Sequence, residues 1–186
     1  MGWSNHVQVE DEETFAALFQ QYKNLVYRTA YLMLGNATDA EDALQEVFLK
    51  VHRALDRFDP SRAAFTTWIY RITVNHCLNR QRKRRILMLP LGEMLGHHPS
   101  PESQIMKHQT LEQALGGLSD KLRAVVVLRY YADLPYSEIG EILDVPLGTV
   151  KSRLNQALSS MRKSLNASLE EEDALTAAIP NQENAE

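Results

Sequence analysis

The 186-residue chain has one cysteine, Cys77, so it forms no intramolecular disulfide and offers no CxxC pair to a structural zinc. That scarcity fits a reducing compartment. No stretch approaches the roughly 18 consecutive apolar residues a membrane span needs. The start, MGWSNHVQVEDEET, lacks the basic residues and apolar run of a secretory leader. The expectation is a soluble, cytoplasmic protein without direct membrane insertion. Alternation of apolar and polar residues is nowhere sustained long enough to demand a sheet. Also missing are a nucleophile with its base, a carboxylate pair and a Gly-rich phosphate loop, so no catalytic residue is assigned and the chain is not read as an enzyme. Its length excludes a large multidomain enzyme and allows one medium domain or two small ones.

Charge is present in both signs but unevenly placed. The whole chain carries −4, yet residues 168–186 hold six acids and no base, which leaves the rest at +2. Between Arg71 and Arg85 lie Arg71, Arg80, Arg82, Lys83, Arg84 and Arg85 with no acid among them. Such a concentration is expected where a polyanion is met, and nucleic acid becomes a leading candidate partner.

Helical periodicity fills the first half. Phe15, Leu18, Phe19, Tyr22 and Val26 share one face of a first helix, which Gly35-Asn36 stops. A second helix is predicted to begin at Thr38, with Glu41 completing a capping box, and Leu44, Val47, Phe48, Val51 and Leu55 make its inner stripe. Its outer face is Asp42, Gln45, Glu46, Leu49 and Arg53, where Leu49 is an apolar side chain among polar ones and suits a docking surface. After Asp59-Pro60-Ser61 comes a third helix with Phe65, Trp68, Ile69 and Ile72 inward; Trp68 therefore reads as core. Its far end carries the basic cluster.

Pro90, Gly92, Gly96, Pro99 and Pro101 interrupt periodicity and mark a linker. The expected organisation is a first domain over 1–86, a linker over 87–105, a second helical domain over 106–167 and an acidic, disordered tail over 168–186. The fold class is all-α: two small helical domains joined by a flexible linker, the second containing a helix-turn-helix.

That motif spans Ser137 to Met161. Ser137 is placed to cap a short helix with inward Ile139, Ile142 and Leu143, Asp144-Val145-Pro146 makes the turn, and Pro146 suits the first turn of the next helix because it has no N–H to lose. Val150, Leu154, Ala157 and Met161 form the buried stripe of that helix. Gly148, Thr149, Ser152, Asn155 and Gln156 fall away from it, flanked by Lys151 and Arg153. Short polar side chains on such a helix reach base edges in the major groove while cations hold phosphates. Pattern alone leaves a DNA-reading helix and a solvated helical hairpin both open.

LRYYADLPYSEIGEILDVPLGTVKSRLNQAL resembles the promoter-recognition domain of a bacterial sigma factor, and AEDALQEVFLKV followed by FTTWIYRITVNHCLNRQRKRR resembles its other conserved domain. Order and spacing are those of the extracytoplasmic-function (ECF) group of the sigma-70 family, over most of residues 14–166. The resemblance implies a specificity subunit that binds core RNA polymerase, recognises the minus-ten and minus-thirty-five promoter elements, and promotes transcription initiation under an anti-sigma factor. Asp42, Gln45 and Glu46 match positions that dock on the clamp helices of the largest polymerase subunit. Asn79 matches the loop beside a pocket for an unstacked minus-ten base, with Tyr70, Arg71, Asn75 and Arg80 nearby and Arg82, Lys83, Arg84 and Arg85 as phosphate contacts. Gly148, Thr149, Lys151, Ser152, Arg153, Asn155 and Gln156 match the minus-thirty-five reader. Family members often carry Arg at the position of Gln156, and NQALSSM offers no cation before Arg162. Weaker phosphate attraction and a shallower salt dependence are expected there.

No cofactor is implied. His97-His98 and His108 lack further ligands at zinc spacing, and Cys77 beside His76 reads as packing. Two other classes stay open: a self-sufficient helix-turn-helix regulator, whose first domain would need a sensory role, and a helical adaptor, which would need no basic cluster.

Overall fold

In the computed structural model, which describes residues 12–88 and 106–177 and the side chains over 15–86 and 111–167, every regular element is helical. Helix α1 (Glu12–Leu34), α2 (Ala37–Ala54) and α3 (Phe65–Met88) form the first unit, with a 3-10 turn at Leu55–Arg57. The second contains α4 (Met106–Gly116), α5 (Asp120–Val126), a π-helical segment (Val127–Tyr131), α6 (Tyr136–Leu143) and α7 (Leu147–Ala177).

The predicted apolar stripes meet as their spacing requires. Val26 of α1, Val47, Phe48 and Val51 of α2 and Ile69 of α3 are buried together, walled by Phe15, Phe19, Tyr22, Leu44 and Trp68. Each such side chain withdrawn from water stabilises by about 1.5–3 kcal/mol. Trp68 packs on Phe58 and Phe65 with ring centroids 5.1 and 5.3 Å away, which supports its reading as core.

Helix boundaries depart from the expected caps. Gly35 takes φ 80° and its N–H bonds Tyr31 O at 2.8 Å, ending α1. Asn36 then lies extended, and its side chain caps α2: Oδ1 accepts the Asp39 N–H at 2.8 Å and Nδ2 donates to Asp39 Oδ2 at 2.7 Å. Thr38 is already inside the helix, so the expected Thr38–Glu41 box is replaced by one residue pair set earlier. Similarly, Pro135 precedes α6 and Ser137 lies within it without capping. The predicted turn at Asp144 is present, with Asp144 left-handed at φ 52° and Val145 N–H donating to Gly140 O at 3.0 Å. Pro146 O accepts from Thr149 and Val150, which starts α7 one residue after the proline.

The tail is corrected in part: α7 continues through 168–177, where Leu, Glu and Ala are strong helix formers, while 178–186 lie outside the described residues. Most of the linker, 89–105, also lies outside them, and α3 extends two residues past the expected boundary, to Met88.

The two units pack against each other. Ala30, Met33, Leu34, Ala40, Ala43, Tyr70, Val74 and Cys77 of the first join Leu115, Leu118, Val125, Leu128, Ile139 and Val150 of the second in one apolar cluster. Polar contacts cross the same seam: Thr67 Oγ1 donates to Glu138 Oε2 at 2.7 Å, and Tyr31 Oη to Glu112 Oε1 at 3.2 Å. Arg123 is 2 % exposed and donates to Leu115, Gly116 and Leu118 carbonyls around the α4–α5 turn, and across the seam to Met33 O at 2.8 Å.

Candidate nucleic-acid interface

The first part of the candidate site is the start of α7. Val150, Leu154, Ala157 and Met161 are buried, which turns the opposite side of the helix outward. Gly148, Lys151, Ser152, Asn155 and Gln156 are exposed, and Thr149 and Arg153 are half-buried at the edges. Ser152 Oγ donates to Thr149 O at 3.1 Å, which commits its proton and leaves its lone pairs outward. The seven residues predicted from spacing thus lie on the side of α7 away from its buried stripe. Sequence reasoning missed Leu147, an exposed leucine at the helix tip. Its position just outside the buried stripe was the available signal, and an apolar group there suits contact with a thymine methyl.

The second part is α3, where the predicted residues divide. Arg71, Asn79, Arg82, Lys83, Arg84 and Arg85 are exposed, and Asn75 and Arg80 are half-buried. Tyr70 differs from expectation. It is 5 % exposed, inside the cluster shared by the two units, where burial and then the nearby Tyr131 push its hydroxyl pKa up to about 12. In this arrangement Tyr70 supports packing and offers no face to DNA.

The basic run is also not uniformly available. Arg80 Nη2 bonds Asp39 and lies 3.1 Å from Asp42 Oδ2; Arg84 Nη1 lies 3.1 Å from Asp39 Oδ2; Arg85 Nη2 lies 2.5 Å from Asp120 Oδ2. Arg71, Arg82 and Lys83 enter no ion pair among the described residues. Asp39 is the hub that spacing did not disclose. Its burial disfavours the charge, but the hydrogen bonds from Asn36 and Arg80 outweigh that and hold its carboxyl below the usual aspartate range.

The third part is the outer face of α2. Asp42, Gln45, Glu46 and Leu49 are exposed on it, as periodicity predicted, Leu49 to 56 %. Behind this face His76 of α3 is buried, its Nδ1 2.8 Å from Lys50 Nζ and 3.8 Å from Glu46 Oε2. Burial, then Lys50, lowers its pKa below the usual histidine value, so the ring is neutral and its Nδ1 accepts from the ammonium. Its Nε2 has no hydrogen-bond partner among the described residues. Cys77 is buried, and burial pushes its thiol up to about 12, in keeping with a packing role. No group of three or more metal-ligating side chains occurs among the described residues; the His97, His98 and His108 side chains lie outside them.

The site therefore has three exposed surfaces on one body: a polar strip with flanking cations, a basic helix end partly neutralised by acids, and an acidic helix face with one leucine. The first two are suited to a polyanion and the third to a protein with cationic and apolar groups.

Known protein families match the chain in both of its units. Residues 18–86 match sigma-70 region 2, and residues 114–163 match sigma-70 region 4. The chain is 36 % identical over 174 residues to the ECF RNA polymerase sigma factor SigW of Bacillus subtilis, covering 86 % of this chain and 92 % of that protein. It is 36 % identical over 183 residues to the ECF sigma factor SigE of Mycolicibacterium smegmatis, covering 86 % of this chain and 70 % of the relative. Among solved structures, the sigma factor RpoE of Bartonella quintana, in complex with the anti-sigma factor NepR, superposes with a TM-score of 0.68 at 22 % identity over 83 % of this chain and 98 % of that one. That likeness extends to the fold.

Proposed function

The chain belongs to the ECF group of the sigma-70 family of RNA polymerase sigma factors, and from that membership we propose how its surfaces divide the work of initiation. A sigma factor is a transcription initiation factor and not an enzyme: it binds core polymerase and promoter DNA, and the polymerase does the chemistry. In our reading Asp42, Gln45, Glu46 and Leu49 of α2 meet the polymerase, α3 meets the minus-ten element, and the outward strip of α7 reads the minus-thirty-five element.

The observation that carries this reading is the α7 strip. A helix tip projecting Gly148, Ser152, Asn155 and Gln156, with Lys151 and Arg153 at its sides, has the width and chemistry for a major groove. Its buried stripe fixes which side faces outward.

On α3, Tyr70 is buried and Trp68 packs with Phe58 and Phe65, so the polar side chains left near the expected base pocket are the exposed Asn79 and the half-buried Asn75. Holding an unstacked base there rests on hydrogen bonds to its edge, against an extrusion cost of a few kcal/mol. Phosphate contacts from Arg71, Arg82 and Lys83 fix the strand. Control by an anti-sigma factor belongs to the same proposal, since the RpoE relative is held by one. A cytoplasmic location also belongs to it; no helix among the described residues is long and apolar enough to cross a membrane.

The test is transcription from a bacterial promoter library by core polymerase with and without the chain. New start sites that depend on it are expected, and their absence refutes the reading. Within it, Asn79→Ala is expected to alter preference at a single minus-ten position. Lys151→Ala is expected to weaken upstream contact evenly across sequences and reduce the salt slope by about 1. Equal, sequence-independent losses from both variants would remove the division of labour.

A further inference from the structure

Arg80 lies in the basic run of α3, yet its guanidinium turns toward α2. Nη2 bonds Asp39 Oδ1 and lies 3.1 Å from Asp42 Oδ2. Asp39 is fixed, since Asn36 accepts its N–H and donates to its Oδ2 in the first turn of α2. Asp42 is not fixed in this way. Its side chain is 55 % exposed, Arg80 is its ion-pair partner, and it stands on the outer face beside Gln45 and Glu46. One carboxylate therefore belongs to two surfaces at once.

We propose that Asp42 is a shared partner coupling polymerase docking to DNA binding. In the free chain Asp42 and Asp39 together hold Arg80 against α2, withdrawing one cation from the minus-ten surface. A cationic group of the polymerase that takes Asp42 leaves Arg80 with a single acid and frees it for a promoter phosphate. Arg80 is thus a positioning residue in the free protein and a DNA contact in the assembled one. Coupling of this kind is reciprocal: a phosphate that takes Arg80 leaves Asp42 open to the polymerase. The inference rests on the reading of α2 as the polymerase face and α3 as the DNA face.

The measurement is binding of a short single-stranded deoxyoligonucleotide to the full chain without polymerase, by fluorescence anisotropy across a salt series. Each cation that gains a phosphate on a single strand steepens the plot of log affinity against log salt by about 0.7. Asp42→Asn removes one acid from an exposed position and leaves every cation in place. The expected slope is steeper by about 0.7, a further loss of about 2.6-fold for each fourfold rise in salt. Glu41→Gln removes the same charge from an exposed position on α2 that enters no ion pair among the described residues, and is expected to leave the slope unchanged. Adding Arg80→Gln to Asp42→Asn is expected to erase the gain.

An unchanged slope in Asp42→Asn, or equal steepening in Glu41→Gln, overturns the coupling. Failure of the wild-type chain to support polymerase-dependent initiation overturns the reading beneath it. The oligonucleotide assay contains no polymerase, so the two failures are read apart.

Discussion

Arg123→Met keeps a side chain of similar length but removes all the donors of the buried guanidinium at the seam between the two units. Among the described residues Arg123 makes four hydrogen bonds, all to main-chain carbonyls, and no carboxylate bonds to it. At about 1.5–3 kcal/mol for each charged hydrogen bond, four would contribute at least about 6 kcal/mol. Burying the guanidinium runs against that by several kcal/mol. After the substitution Met33 O keeps the Gln81 Nε2 donor at 2.7 Å and Leu115 O keeps the Leu118 N–H at 3.1 Å. Leu118 O is left buried, and Gly116 O sits where the lost bond was only part-buried and water substitutes. The net loss is about 3 kcal/mol, equivalent to about 1 M in urea midpoint for an m-value near 3 kcal/mol/M. Far-ultraviolet circular dichroism of the full chain measures the shift. Tryptophan fluorescence reports on the first unit, because both tryptophans, Trp3 and Trp68, lie before residue 87. The two probes should shift together, since Arg123 of the second unit bonds Met33 of the first. A loss below about 1 kcal/mol, or a fluorescence transition that stays put while circular dichroism moves, refutes the assignment of Arg123 as a tie between the units.

Other outcomes follow from the same geometry. His76 has a lowered folded pKa, so the unfolded chain takes up its proton first as pH falls through about 6.5. Its contribution to stability is complete above that value and is lost below it by up to about 1.4 kcal/mol per pH unit, until the folded pKa is reached. Lys50, Arg80 and Lys83 oppose its protonation and Glu46 favours it; His76→Gln should flatten that part of a pH–stability curve, and an unchanged curve would contradict the burial argument. Gly140→Ala gains about 1 kcal/mol of helix propensity, but the added Cβ would lie 2.9 Å from Val145 O at the turn, so a net loss of about 1–2 kcal/mol is expected from thermal melts. Gly148→Ala, with nothing within 4 Å of its Cβ, should be neutral or stabilising in the same melts, and the reverse order would refute the close-approach reading.

Much of this molecule was legible from periodicity. The buried stripes Val47-Phe48-Val51 and Val150-Leu154-Ala157-Met161 follow from spacing because a helix repeats every 3.6 residues, and fixing the inner stripe fixes the outer one. That is why Asp42, Gln45, Glu46 and the α7 strip were placed correctly as exposed faces. Caps were less legible: Thr38 and Ser137 had the right chemistry, but Asn36, following the left-handed Gly35, and Pro135 hold the N-cap positions, each two residues earlier.

Sequence by itself determined that the chain is helical, that it has two units in a given order, and which side of each helix faces in. Those properties are local, set by repeats of a few residues. Only the tertiary structure decided that Tyr70 is buried between the units, that Asp39 and Asp42 hold Arg80 and Arg84 across some 40 residues of chain, and that Arg123 closes the seam through main-chain carbonyls. These are pairings between distant residues. A charge run on one helix records how many cations are present, but which of them remain open to a partner depends on the acids that folding brings against it.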